Sequence, residues 1–258
     1  MLRAAGIIPV SGDLDQRQHL TRLAGLARII LHFAPPPNTG ANDPRTRNLL
    51  AALSRGTLPE RLIYISTSGV YGDCGGALVS ETHALNPQSA RALRRVDAEQ
   101  RIRDWARRNR INTNILRVPG IYGADRLPLE QLRAATPAIV TEQDSCTNHI
   151  HADDLARIVV AALRYAKPNR VYHTSDDSEL KMGDYFDAVA DTFNLPRPPR
   201  LPRAEVERAV SPMLWSFINE SRRLANARMK KELKLKLNYP TLADSLCRMQ
   251  TGEVPATD

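Results

Sequence analysis

Short apolar runs alternate along this chain with stretches in which apolar residues recur every three or four positions. The short runs predict strands at Ile7–Val10, Ile29–Phe33, Leu62–Ser66, Thr113–Arg117, Ala138–Val140 and Val171–His173. The periodic stretches predict helices at Arg45–Arg55, Gln88–Asn109, Leu127–Ala135, Asp153–Tyr165 and Met182–Phe193. Further helices are predicted at Arg203–Val210, Met213–Asn219 and Ser221–Glu232, beyond the Pro-rich connection Pro196–Pro202, which cannot continue a helix. Alternating strands and helices predict an α/β fold with a parallel sheet. Strands become sparse after Arg117. The expected division is therefore a sheet-bearing part, residues 1–117, and a part at 118–258 that holds a small, mostly helical lobe and returning sheet elements.

The helix predicted at 88–109 carries an unusual stripe. Arg91, Arg95, Ala98, Ile102 and Trp105 follow spacings of four, three, four and three, so they share one face. Ala98, Ile102 and Trp105 belong to the core, and the two arginines extend that face toward the helix start. Buried charge without a partner is costly. The arginines therefore call for an anion in a cleft, a route to solvent along their own stems, or a pairing with Asp73 or Glu81.

Composition narrows the function. At 258 residues, 42% apolar and 25% charged, the chain can bury a substantial core. No run reaches the roughly 18–20 apolar residues of a membrane span. Three widely spaced cysteines form neither a disulfide framework nor a zinc site, and they suit a reducing cytoplasm. The net charge of +8 is carried mostly by arginines spread along helices, with little aromatic interleaving and no nucleic-acid-binding motif. It could favour nucleic acid or anionic substrates, but reads first as an incidental solvated basic surface. His149 and His151 with Asp153 and Asp154 have a metal-like composition, but the run reads as a strand end and a helix cap in which Asp153 or Asp154 accepts backbone N–H groups. No metal is expected. Glu99 reads as an i,i+4 partner of Arg95, and Met213, Trp215 and Phe217 read as packing residues.

Five segments in order resemble the extended short-chain dehydrogenase/reductases, the NAD-dependent epimerase/dehydratase family: Gly12-Asp13-Leu14, His32-Phe33-Ala34-Pro35, Ser66-Thr67-Ser68-Gly69-Val70-Tyr71-Gly72, Leu116-Arg117-Val118-Pro119-Gly120-Ile121-Tyr122-Gly123 and His149-Ile150-His151-Ala152-Asp153-Asp154-Leu155-Ala156. The resemblance implies a Rossmann-like parallel sheet that binds NAD or NADP. It also implies cofactor contacts at Asp13, Ala34, Pro35, Ser66, Arg95 and Pro119, and a catalytic Thr67 that holds a substrate oxygen. A small polar substrate, anionic or resembling a nucleotide sugar, is the implied partner, and a homodimer is compatible with it.

Two departures stand out. The family's Tyr-x-x-x-Lys reads Arg91-x-x-x-Arg95 here. A guanidinium stays protonated at any working pH, so Arg91 cannot be the general acid/base. It can orient an anionic substrate, and Arg95 can replace the lysine as a cation and ribose donor. Tyr71, His83 and His151 are the remaining candidates for moving a proton. The second departure is the glycine-rich phosphate turn, which neither family pattern supplies in this sequence. The run at Ile7–Val10 matches the family's third strand, so the expectation is a longer gene in which the first strands precede Met1, with a truly shortened product as the alternative. The expected function is an epimerase/dehydratase-like oxidoreductase of atypical active site; a non-catalytic dinucleotide sensor is the second reading. A polyanion-binding module rests on net charge alone.

Overall fold

The computed structural model describes residues 2–251. The first half runs β1 (Ile29–His32), α1 (Pro44–Leu53), β2 (Arg61–Thr67), β3 (Leu78–Val79), α2 (Ala90–Asn109) and β4 (Asn112–Val118). Next come β5 (Gly120–Tyr122), α3 (Leu129–Arg133), β6 (Ala138–Ile139), β7 (Cys146–Thr147), β8 (His149–His151), α4 (Ala152–Tyr165) and β9 (Arg170–His173). The chain ends with β10 (Leu180–Lys181), α5 (Met182–Thr192), β11 (Arg200–Leu201), α6 (Arg203–Ala209), α7 (Pro212–Ile218), β12 (Arg223–Leu224), α8 (Ala227–Leu233) and α9 (Leu242–Thr251).

Strands β1, β2, β4 and β9 form one parallel sheet in the order β1-β2-β4-β9. Its central strands are apolar on both faces, because helices cover both. On one side Leu49, Leu53, Ala98, Ile102 and Trp105 of α1 and α2 pack on Leu62, Tyr64 and Ile115. On the other, Ile158, Ala162, Met229 and Leu233 of α4 and α8 pack on Ile63, Leu116 and Tyr172. A further cluster joins α5 and α9 through Phe186, Val189, Leu242 and Leu246, together with Tyr122 and Leu132, and forms the helical lobe beside the sheet.

Helix starts follow from local chemistry. Asp43 accepts the Thr46 N–H at 3.1 Å before Pro44 opens α1, and Ser89 accepts the Ala92 N–H at 3.2 Å to open α2. At α4 the cap is His151, whose Nδ1 accepts the Asp153 N–H at 3.2 Å, rather than Asp153 or Asp154. Asp154 does accept backbone N–H groups, but those of Asn238 and Tyr239, at 2.9 and 2.8 Å, which ties the C-terminal loop to α4.

Two predicted elements differ. Residues 7–10 form no strand; Ile8 is 87% exposed, and the outer edge of β1 is not paired with them. Apolar content alone cannot make a strand without a ladder partner. The predicted helix Ser221–Glu232 is broken because the Arg223 and Ala225 N–H groups donate to the Ala77 and Val79 carbonyls, drawing this segment alongside β3. Helix begins only at Ala227.

Candidate active site

The carboxyl ends of β2 and β4 converge with β5, β8 and α7 around a cavity of about 370 Å³. This is where open parallel sheets bind ligands. β2 ends at Thr67, and a 3-10 turn over Ser68–Tyr71 follows. The turn closes at Gly72, which has φ of 65° and where a Cβ would come within 2.2 Å of the Asn86 carbonyl oxygen. No other residue type fits there.

Thr67, Arg91 and Pro119 all line the cavity. The Thr67 Oγ1 accepts the Gly69 N–H at 3.2 Å, so its own O–H is left to donate into the cavity. Arg91 is half-buried with its guanidinium carbon 3.6 Å from the centroid of the Phe217 ring. It forms no ion pair among the described residues. Burial pushes its pKa down, and the neighbouring Glu220 carboxylate opposes this. Glu220 is itself paired with Arg222 at 2.7 Å, and Arg222 also donates to the Gly72 carbonyl at 2.8 Å. Arg126 completes the wall. Three guanidiniums thus face one carboxylate, and an anion is the ligand this field favours.

The other residues singled out in the sequence lie beside this cavity rather than on it. Arg95 donates through Nη1 to the Ile65 carbonyl at 2.7 Å and to the Tyr64 hydroxyl at 2.9 Å; its Nε and Nη2 have no partner among the described residues. Ser66 is buried and donates to Glu99 at 2.6 Å. Asp13 accepts the Asp15 N–H at 2.9 Å in an exposed turn. The Pro35 carbonyl accepts from Arg45 at 3.1 Å, and Ala34 is half-buried beside it. Arg45 also pairs with Asp15 at 2.7 Å, which gathers Asp13, Ala34 and Pro35 at the carboxyl end of β1.

Glu99 is not the partner of Arg95. It holds Arg117 through two bonds of 3.1 and 2.7 Å, and it lies 3.6 Å from Arg103, its i,i+4 neighbour. Arg117 donates to the Tyr71 hydroxyl at 2.6 Å, and that oxygen lies 2.5 Å from His173 Nε2. His173 Nδ1 is 3.0 Å from the Ala225 carbonyl, which can only accept, so Nδ1 carries the proton and Tyr71 donates to Nε2. Tyr71 is 1% exposed and fully engaged. It is a core residue, not a free base. Nor do the arginines pair with Asp73 or Glu81: Asp73 accepts the Ser221 N–H and Glu81 faces Arg228.

Two residues that sequence reasoning left aside belong to the site. Phe217, read as packing, covers Arg91. His149, set aside with the metal-like run, lines the cavity stacked on Tyr185, with ring centroids 4.1 Å apart. The run is the strand end the sequence implied, but its pairing with β5 is long-range and leaves no local signal. No metal-ligating cluster occurs among the described residues.

Burial pushes His32, His149 and His173 down to about 4, 4 and 3. The unfolded chain takes up these protons near pH 6.5 and the folded chain does not. Their contribution to stability is complete above pH 6.5 and is lost as the pH falls toward 4. Asp176 acts in reverse, because burial pushes it up to about 7. The folded chain holds that proton while the unfolded chain releases it near pH 4, so its penalty grows as the pH rises toward 7. Asp176→Asn is expected to raise the unfolding midpoint at pH 8 and to leave it nearly unchanged at pH 4, read by urea titrations at both values. An equal gain at both would show that the carboxyl's charge is not the cause.

The described residues suit one end of a dinucleotide. Thr67 and Pro119 border the cavity, and Arg95 has N–H groups to spare for a ribose. The phosphate end has no cradle among them: α1 opens with the Asp43 carboxylate on its own N-terminus, which disfavours a pyrophosphate there.

Fold and site together define a Rossmann-like α/β protein with a ligand cavity at the carboxyl ends of its strands. Residues 12–174 match the NAD dependent epimerase/dehydratase family. A conserved protein of unknown function from Silicibacter pomeroyi DSS is 31% identical, with 87% of this chain and 77% of that chain covered and a TM-score of 0.74. The chain belongs to the NAD-dependent epimerase/dehydratase family. Similar folds include UDP-glucuronic acid 4-epimerase from Bacillus cereus in complex with NAD, 20% identical over 91% of this chain and 76% of that chain, TM-score 0.71. RMD from Pseudomonas aeruginosa, complexed with NADPH, is 17% identical over 95% and 88%, TM-score 0.75. No curated protein matches the sequence. No helix among the described residues is long and apolar enough to cross a membrane.

Proposed function

We propose that this protein is an NAD(P)-dependent oxidoreductase of the epimerase/dehydratase type with an atypical active site, acting on an anionic substrate related to nucleotide sugars. The observation that carries this reading is the free Thr67 hydroxyl beside a cavity walled by Arg91, Arg126 and Arg222. The dinucleotide, when bound, supplies the hydride acceptor or donor. Thr67 donates to the substrate oxygen. Arg91 neutralises and orients the substrate's anionic group but takes no proton. Arg95, whose Nε and Nη2 are unengaged among the described residues, would donate to a ribose hydroxyl in this reading. The family membership and the nucleotide-sugar enzymes of like fold support the substrate class.

A non-catalytic dinucleotide sensor is the second reading. It is favoured by Arg91 standing where the family has its proton-transferring Tyr, and by the engagement of Tyr71 in the core, which removes a nearby substitute. Thermal unfolding with each dinucleotide, then turnover of UDP-glucuronic acid with NAD⁺, separates the two. A ligand at a hundred times its Kd adds about 2.7 kcal/mol to stability. Stabilisation with turnover supports the enzyme, stabilisation without turnover the sensor, and neither sinks both.

Arg91→Ala is expected to weaken UDP-glucuronic acid binding by roughly 10- to 100-fold, the loss of a charge-assisted hydrogen bond of about 1.5–3 kcal/mol. Arg91→Lys should recover part of it. Calorimetric titration checks this, and unchanged affinity in Arg91→Ala would place the anion elsewhere.

A further inference from the structure

His149 has a hydrogen-bonding problem that its surroundings do not solve. Its side chain is 6% exposed. One face stacks on Tyr185 at an interplanar angle of 15°, and Tyr122 lies edge-on to the ring with centroids 6.2 Å apart. Nδ1 is fully enclosed and has no partner among the described residues. Nε2 also has no partner among the described residues, but it is not enclosed. It lies on the Gly120 side, 3.2 Å from where a Cβ of that residue would sit, and the Cδ2 atom is closer still, at 2.7 Å. Gly120 therefore clears the space into which this edge of the ring looks, and both residues line the cavity.

A neutral imidazole carries one N–H and one bare nitrogen. A buried donor without an acceptor costs about 1–3 kcal/mol, and orphaned N–H groups are rarer in proteins than under-used acceptors. The ring thus places its proton on Nε2, where an acceptor can reach it, and leaves the lone pair on enclosed Nδ1. That arrangement is also the intrinsic preference of neutral histidine. Burial pushes the ring down to about 4, so it stays neutral near pH 7.

We infer that His149 presents a neutral Nε2–H donor to the cavity and that this donor fixes an uncharged oxygen of the substrate, on the wall lined by Gly120. The inference rests on the reading of the cavity as a substrate site for nucleotide-sugar-like anions. It assigns a third contact type to that site: Thr67 a hydroxyl, the arginines charge, and His149 an uncharged N–H that an anion-only ligand would leave unused. His149 is a binding and orienting group here and does not exchange the proton.

Histidine-ring ¹⁵N spectra of the full chain, with His149→Phe used to assign the signal, test this directly. The Nε2–H tautomer is expected at pH 7. UDP-glucuronic acid added after NAD⁺ should move Nε2 and its proton and leave Nδ1 nearly still. His149→Phe keeps the stack on Tyr185 but removes the donor. It should raise the Kd for UDP-glucuronic acid about tenfold, the loss of about 1.4 kcal/mol, with little change in the unfolding midpoint; His149→Gln should recover part of the affinity. An Nδ1–H or imidazolium ring at pH 7 overturns the inference outright. Binding of UDP-glucuronic acid with a silent Nε2 overturns it while leaving the cavity reading intact. Absence of UDP-glucuronic acid binding overturns the cavity reading, and this inference falls with it.

Discussion

Replacing Arg117 with Met is expected to destabilise the protein by about 3–5 kcal/mol, because it leaves the buried Glu99 carboxylate without its main cation. Both side chains are almost wholly enclosed, at 3% and 2% exposure. Glu99 joins Arg117 to the Ser66 hydroxyl, and Arg117 in turn holds Tyr71 and, at 3.2 Å, the Glu81 carbonyl. Tyr71 continues the chain to His173 and the Ala225 carbonyl. One network thus ties β2, α2, β4 and β9 to the segment before α8. It lies immediately behind Thr67, since Ser66 and Arg117 are register partners in the sheet. Urea unfolding of Arg117→Met should show the loss, and Arg117→Met with Glu99→Leu should recover a good part of it, since replacing both charges removes the uncompensated one. A single mutant as stable as the wild type would mean that water reaches Glu99 and the pair is not sealed.

The parts of this protein legible in the sequence are those whose physics is local. The stripe Ala98, Ile102 and Trp105 marks the core face of α2 because 3.6-residue periodicity fixes which side chains share a face. Continuous apolar runs mark β2 and β4 because parallel strands are covered on both sides. Long-range pairing was not legible. The runs at Ala138–Val140 and His149–His151 were readable as strands, but the pairs β5–β8, β7–β10 and β6–β11 join short segments whose partners no local period identifies. The same holds for the polar network. Nothing local distinguishes Glu99 as the partner of Arg117 from Glu99 as the partner of Arg95; the choice is made by β4 lying beneath α2. The charge on Arg91 was readable, but the ring that covers it was not, because Phe217 arrives from α7 more than a hundred residues later. The buried arginine near the start of α2 is in fact Arg94, which donates to the Gly40 carbonyl at 2.6 Å. It sits off the stripe and reaches Gly40 in the loop that leads into α1, a partner of which helical periodicity gives no warning.

Thr67→Ala is expected to lower kcat on UDP-glucuronic acid by about 10²–10³-fold, the usual consequence of removing one pre-placed donor to an oxygen on which charge develops. The argument is geometric. The Gly69 N–H occupies one lone pair of Oγ1, which fixes the hydroxyl's direction before any ligand arrives. The β2–β4 ladder runs to Thr67, where it pairs with Val118, so the backbone carrying the hydroxyl is held to the end of the strand. A donor held in place in this way needs little rearrangement as the reaction proceeds, and its worth appears in kcat more than in binding. The substitution also removes the acceptor that caps the Ser68–Tyr71 turn, so a small loss of stability, about 1 kcal/mol, should accompany it. Dinucleotide binding should remain. Thr67→Ser keeps both the acceptor and the O–H and should retain most of the activity, whereas Thr67→Val keeps the shape and should behave like Ala. Steady-state rates and dinucleotide titrations on the three variants decide the matter. A Val variant that turns over like the wild type would remove the hydroxyl from the chemistry. A variant that loses cofactor binding along with rate would make Thr67 a part of the cofactor site instead.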